Sequence, residues 1–393
     1  MTTPPPAPRR GVPWVLGLVT TVACAGGPAT SSPPSVCAGS DALWVASDYT
    51  SSAVGGLSVT GNVWATTGRA DLGADPALAV SGGRAFYVTR DQDTIFEVGT
   101  QCGNPTEEWT VRQPGTAGSS DPQDVGVASD GSLWVPLYLS GSLMVLSPTG
   151  AIEHIIDLSA YDDDGNPDAS AIAIVDTPAG EKAFVPLQRL TWNGQSYQSE
   201  QPSLMLRIDV ATATVEAQIA LAGRNPFGMV RVGSILWLSE PGESAGGGFA
   251  SATDPLGGIE RFDTSTSTTV LVVHEADLGG SVTEVAVSGS CGAAIVADAT
   301  SVNATSLVTF DPVSGAPIAS AAQSPFSTTG ADGGFYLQGT AWLGTNLYVG
   351  DRRRAVSGYP VHGFGASAAC GLTLQPDAIF LPLPPVELRT PSP

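Results

Sequence analysis

A short apolar phrase centred on an aromatic residue or Ile returns seven times along the 393-residue chain. It reads Leu43-Trp44-Val45, Phe86-Tyr87-Val88, Leu133-Trp134-Val135, Ala183-Phe184-Val185, Leu236-Trp237-Leu238, Ala294-Ile295-Val296 and Leu347-Tyr348-Val349, with central residues 43, 47, 50, 53, 58 and 53 positions apart. A repeat at this period decides architecture before composition does, because each copy is one supersecondary unit that must stack on its neighbours to bury its apolar faces. In most copies four strands, A to D, are legible. In the third they are Asp124 to Ala128, Leu133 to Leu137, Leu143 to Leu146 and Ile152 to Leu158, separated by Ser129-Asp130-Gly131, Ser140-Gly141 and Ser147-Pro148-Thr149-Gly150. Those separators are turn chemistry. Four-stranded antiparallel units at this spacing predict an all-β chain, a β-propeller of seven blades, with a six-bladed ring as the alternative. The abundance of turn formers, 47 Gly and 31 Pro with only 13% charged residues, agrees with many short strands and few helices.

Residues 1–24 read as an export signal: Arg9-Arg10, a short apolar stretch from Val12 to Val22, then small residues. Thr21-Val22-Ala23-Cys24 resembles a lipobox with Thr where Leu is usual, making Cys24 the expected lipidation site, and Ala23-Cys24-Ala25 is the competing signal-peptidase site. Residues 25–40 have the Gly/Pro/Ser composition of a flexible tether. The propeller is expected over 41–385, leaving 386–393 as a tail. The first copy has no strand A before Leu43. Ala378-Ile379-Phe380-Leu381, left over after the seventh copy, is expected to close the ring by supplying it, the alternative being that it pairs elsewhere or finishes the seventh blade. Pro360 marks the seventh strand C as a bulged or edge strand.

Cys37, Cys102, Cys291 and Cys370 permit three pairings in an oxidising compartment. The A–B and C–D turns emerge on one face of the ring, and this geometry selects Cys37–Cys102 and Cys291–Cys370, each joining one blade to the next. No CxxC or Cys/His spacing supports a redox or metal role.

Segments such as Asp121-Pro122-Gln123-Asp124-Val125-Gly126-Val127, Leu204-Met205-Leu206-Arg207-Ile208-Asp209 and Asn225-Pro226-Phe227-Gly228-Met229-Val230 resemble the YncE-type and NHL-type propellers of bacterial envelopes. The resemblance implies a propeller over roughly residues 41 to 385, by the extent of the repeat. Its motifs specify blades and not a reaction. Related lactonases and streptogramin lyases carry metal-binding acids or a catalytic His in the channel, and no such set aligns here.

The B–C and D–A loops share the other face, where propellers commonly bind ligands. Asp48, Asp91, Glu240, Asp298 and Asp351 open five of the seven B–C loops, as turn starters or as a carboxylate ring. Arg90, Arg189 and Arg352 sit beside them, either as clamps for an anionic group or as partners of the same acids. The long fourth and fifth B–C loops, Gln188 to Pro202 with Trp192, and Glu240 to Leu256, are candidate recognition loops. Arg90, Gln188, Arg189, Trp192, Glu240, Asp351 and Arg352 are therefore the expected ligand contacts. Asp162, Asp164, Asn166 and Asp168, in Asp-Asp-Asp-Gly-Asn-Pro-Asp, have the alternation of a Ca²⁺ loop without its distal Glu, against the alternative of a solvated acidic turn. His154, His274 and His362 fall outside the expected inner strands, and neither GxSxG nor HExxH occurs. A net charge of −21 disfavours nucleic acid and anionic lipid.

The chain thus reads as a monomeric periplasmic or outer-membrane lipoprotein, in contact with membrane only through its lipid. It is expected to bind an envelope protein, a peptide or a carbohydrate. A metal-dependent lactonase or lyase and a purely structural envelope protein are the alternatives.

Overall fold

The computed structural model describes residues 40–61, 63–65, 72–99, 105–116, 118–194, 197–243, 254–298, 301–329 and 336–391. The seven blades are there, each a four-stranded antiparallel sheet meeting the channel with its strand A. Blade 2 comprises Pro76–Ser81, Arg84–Thr89, Thr94–Val98 and Pro105–Thr110, and blade 3 Gly126–Val127, Leu133–Leu137, Ser142–Leu146 and Ile152–Asp157. Blade 4 is Ala173–Thr177, Gly180–Leu187, Leu204–Asp209 and Thr214–Ala220; blade 5 is Gly228–Val232, Ile235–Glu240, Gly258–Asp263 and Thr268–His274. Blade 6 is Ser281–Ser288, Cys291–Asp298, Ser301–Phe310 and Pro317–Ala319, with Phe326–Thr329 also paired to its strand C. Blade 7 is Leu337–Leu343, Asn346–Asp351, Tyr359–Ala366 and Leu372–Leu381.

Blade 1 closes the ring across the chain's two ends, but not with the expected segment. Its strands B to D are Ala42–Ser47, Ser52–Leu57 and Val63–Ala65, and its strand A is Pro385–Arg389, antiparallel to strand B with Leu43 opposite Arg389. Ala378 to Leu381 instead lie in strand D of blade 7, opposite His362 to Tyr359. All of the closing strand but Pro385 therefore occupies residues assigned above to the tail. Proline heads it where a missing N–H costs little, and alternate residues Val386 and Leu388 are buried. Strand C of blade 7 is interior, paired on both sides, with its bulge between His362 and Phe364.

The repeated phrase is the core. Its seven central residues are at most 4% exposed, because strand B is covered by a neighbouring blade on each face. The buried apolar residues form seven clusters, one per blade interface. In blades 3 to 7 the central residue faces the following blade, as where Trp237 packs with Ala294 and Val296. In blades 1 and 2 Trp44 and Tyr87 face the preceding blade, and Val45 and Phe86 face forward. The first two copies are thus slipped by one residue against the other five, which in a strand reverses the face on which a side chain lies. Outer strands carry no such burden: Thr214–Ala220 alternates exposed with half-buried residues. Cys291 and Cys370 form a disulfide between blades 6 and 7, with Cα atoms 5.2 Å apart. Cys24, Cys37 and Cys102 lie outside the described residues.

Candidate functional site

The inner strands enclose a cavity of about 320 Å³ along the channel, bounded by residues of all seven blades. Four acids line it, and three of them, from blades 1, 3 and 6, each accept a backbone N–H from the next blade. Glu387 Oε2 takes Leu78 N at 2.6 Å, Asp124 Oδ2 takes Ile172 N at 3.0 Å, and Glu284 Oε1 takes Gly339 N at 2.7 Å. Burial pushes the Asp124 carboxyl up to about 6 and that of Glu284 up to about 7. Arg389 pairs with Glu387. Burial works against its charge, but the fields of Glu387, Asp124 and Glu284 outweigh it and raise its pKa. These groups tie blades together around the ring. Among the described residues no three His, Cys, Asp or Glu side chains are arranged to hold a metal ion.

At the end of the cavity on the B–C and D–A face, blades 2 to 4 supply the polar rim. Arg90, just past strand B of blade 2, pairs with Asp75 and donates to Gln123 Oε1 at 3.3 Å, and its Nε has no hydrogen-bond partner. Tyr138 donates to Gln188 Oε1 at 2.6 Å, and Gln188 Nε2 donates to Pro226 O at 3.1 Å. Asp121 lines the same cavity. Its backbone is left-handed, φ 53°, held there because Asp93 Oδ1 gathers the N–H groups of Ser120 and Asp121 at 2.7 and 3.1 Å. Its carboxylate accepts no hydrogen bond from any described residue. Burial, opposed by Arg90 and assisted by Asp75, Asp93 and Asp91, pushes it up to about 6.

Two of the expected ligand contacts, Arg90 and Gln188, meet at this cavity; the other five do not. Arg189 is spent on its own loop, donating to Pro202 O at 2.8 Å and to Gln201. Trp192 stands on a small hairpin, Thr191–Trp192 with Tyr197–Gln198, and is 54% exposed. Arg352 donates to Pro385 O, Ser47 O and Gln338 Oε1 at 2.8, 3.2 and 3.2 Å, and so clamps the closing strand. Asp351 pairs with Arg353 and contacts His362 Nε2 at 3.3 Å. Asp48 accepts Thr50 N and Ser51 N and so starts its turn, whereas Asp91 accepts Ala74 N and ties its loop to the segment ahead of strand A.

Glu240 is not at a surface at all. It is fully buried beside Glu260, with neither carboxylate oxygen partnered by a donor group. Burial and then Glu260 hold its pKa well above the usual value. Glu260 is also raised by burial, tempered by its hydrogen bond with Glu240 and by the Gly223 N–H at 2.7 Å. Burial thus disfavours charge on both carboxyls, and Glu260 makes ionisation of Glu240 harder still. Gly223 is required there, since a Cβ on it would lie 1.7 Å from Glu240 Oε2.

In the acidic loop, oxygens proposed as Ca²⁺ ligands meet protein donors. Asp164 Oδ1 takes Asn166 N at 2.8 Å and Asn166 Oδ1 takes Gly141 N at 3.1 Å. Asp168 Oδ1 and Oδ2 take Asn166 Nδ2 and Leu190 N, both at 2.8 Å, and burial pushes its carboxyl up to about 7. Asp162 Oδ1 takes Gln201 Nε2 at 3.1 Å.

Sequence reasoning missed Asp121, Tyr138 and the Glu260 partner. Asp121 entered the sequence reading only as part of a blade motif, Tyr138 falls just past the strand read as Leu133 to Leu137, and Glu260 carries no signal of its own. The channel acids did leave a signal: Asp124-Val125-Gly126-Val127 and Glu284-Val285-Ala286-Val287 each put an acid before a valine-small-valine run.

No family model matches the chain, and no curated protein matches it. Solved structures do. A Bacteroides fragilis protein described as a 6-phosphogluconolactonase has a TM-score of 0.54 at 13% identity, covering 89% of this chain and 98% of its own. A Lactobacillus plantarum protein gives 0.53 at 13% identity, with 88% and 98% covered. A protein of unknown function from Desulfotomaculum acetoxidans gives 0.52 at 15%, with 86% and 95% covered. At such identities the likeness establishes the propeller fold and nothing finer.

Proposed function

We propose that this propeller is an exported recognition protein, held at the bacterial envelope through a lipid on Cys24, that binds a small polar ligand at the mouth of its channel. The observation that carries the reading is Asp121. A half-buried carboxylate without a hydrogen-bond donor, on left-handed backbone, beside an arginine with an unused N–H and in a cavity, is the combination expected where a ligand completes the polar pairing. Asp121 would accept from a ligand hydroxyl or ammonium, and Arg90 would donate to an oxygen of the same ligand. The channel acids of blades 1, 3 and 6 have other work in tying blades, which favours recognition over lactone hydrolysis.

The test is a melting-shift screen with neutral saccharides, sugar acids and free amino acids. Compounds that raise the melting point are expected to lose that effect in Asp121→Asn and Arg90→Ala, and to bind more tightly as pH rises through about 6, where the Asp121 carboxyl ionises. Hits that stabilise both variants as well as the parent, or turnover of gluconolactone, would overturn the reading. Mass spectrometry of the exported protein's N-terminus, with Cys24→Ala as control, tests the anchor.

A further inference from the structure

The hairpin in the fourth B–C loop presents an aromatic pair that the channel does not use. Trp192 and Tyr197 have ring centroids 5.1 Å apart and planes inclined by 58°, and are 54% and 53% exposed. Inclined rings form two walls of an open notch, unlike the flat platform on which a sugar ring stacks. The faces of both rings are electron-rich and attract a cation.

The hairpin is braced by the acidic loop. Leu190 N donates to Asp168 Oδ2 at 2.8 Å, and Gln201 Nε2 donates to Asp162 Oδ1 and Asp163 Oδ2, both at 3.1 Å. None of the carboxylates of Asp162, Asp163, Asp164 and Glu200 has an ion-pair partner among the described residues. Arg189 lies close enough to act on Asp162, but its guanidinium donates to Pro202 O and Gln201. Asp162 is only 7% exposed, and its Oδ2 lacks any hydrogen-bond partner. An aromatic notch has thus been fixed beside uncompensated, partly buried negative charge on a chain of net charge −21.

We propose that Trp192, Tyr197 and the carboxylates of Asp162 to Asp164 form a docking site for a lysine- or arginine-bearing segment of a partner protein. An ammonium or guanidinium group needs only a ring face and one or two carboxylates. A calcium ion would need six to eight oxygens, and here Asp164, Asn166 and Asp168 already use oxygens on protein donors. Tyr197 lies close enough to act on Tyr138 at the rim, but none of Trp192, Tyr197 and Asp162 to Asp164 lines the cavity, and the proposal does not depend on the role of Asp121.

The probe is a fluorescently labelled octalysine peptide, followed by anisotropy, with the same peptide acetylated on every lysine as its uncharged counterpart. The expected result is binding of octalysine only. It should weaken about tenfold in Trp192→Ala/Tyr197→Ala, the scale of a desolvated cation–π contact, and weaken with a shallower salt dependence in Asp163→Asn/Asp164→Asn. Asp263→Asn/Asp311→Asn, which removes two acids from turns on the other face, is expected to bind like the parent. Melting curves verify that each variant is folded. Undiminished binding by the aromatic variant would overturn the proposal. So would equal losses from both acid pairs, equal binding of the acetylated peptide, or displacement by calcium alone that is indifferent to the aromatic substitutions.

Discussion

Glu275 illustrates how far the chemistry of single residues in this ring departs from their appearance in the chain. It heads the four-residue helix Glu275–Leu278, is fully buried, accepts Val282 N at 2.9 Å through Oε1, and has no partner at Oε2. Burial, tempered by the Val282 N–H, pushes its carboxyl up to about 9. A folded-state pKa raised above the ordinary glutamate value of 4.5 means the folded form holds its proton more tightly than the unfolded form. Its stabilising contribution is complete below about 4.5 and is lost as pH climbs toward 9. Between those limits each pH unit is expected to cost on the order of 1 kcal/mol. Glu275→Gln keeps the acceptor and the shape without the proton. In urea unfolding it should match the parent near the acid end of that window and exceed it near the alkaline end; parallel curves for the two proteins across the window would refute the assignment. Nothing in Glu-Ala-Asp-Leu announces such a state. Glu240 is a similar case: it was legible as the first residue of a loop, but its burial depends on Glu260 and Gly223, which are distant in sequence. Alternation within one strand carries no information about which other segment will cover it.

At the scale of the element, the closing strand Pro385–Arg389 concentrates the ring's dependencies. It pairs with strand B of blade 1, sends Glu387 to the backbone of blade 2, and is held by Arg352 of blade 7. A chain ending after Pro384 loses that pairing and leaves the apolar strand Ala42–Ser47 with an open edge. Such an edge recruits other chains, so the truncated protein is expected to melt below the parent and to run as oligomers on size exclusion; a monomer with unchanged melting would contradict this account. That some terminal strand closes the ring was legible, because the first copy lacks one. Which strand does so was not, since Ala378 to Leu381 is the more apolar segment and Val-Glu-Leu-Arg reads as a charged tail. The channel resolves the matter: Val386 to Arg389 all line the cavity, and the polar Glu387 and Arg389 pair there while Val386 and Leu388 are buried.

For the whole molecule, seven blades of near-equal construction leave stability shared among seven interfaces while charge accumulates with one sign. With 37 acids against 16 bases the surface repels itself. Raising NaCl from about 10 mM to about 150 mM shortens the screening length from about 30 Å to about 8 Å, and the melting point is expected to rise; a fall would mean that ion pairs outweigh this repulsion. The repeat made the blade count and strand order readable because every copy must satisfy the same packing. The rim of the channel was less readable because its residues come from the loops in which the copies differ.

The closing strand also has a place in time. A chain is synthesised from its N-terminus, and Pro385–Arg389 follows every other described strand. Its contact with Leu78 spans 309 residues of sequence. Blades 2 to 7 are complete in their strands while blade 1 still waits for its innermost one. The ring therefore cannot lock before its last strand has been made, and a chain that stalls short of it remains an open arc that can still be degraded. Closure of the ring waits on the strand that is made last.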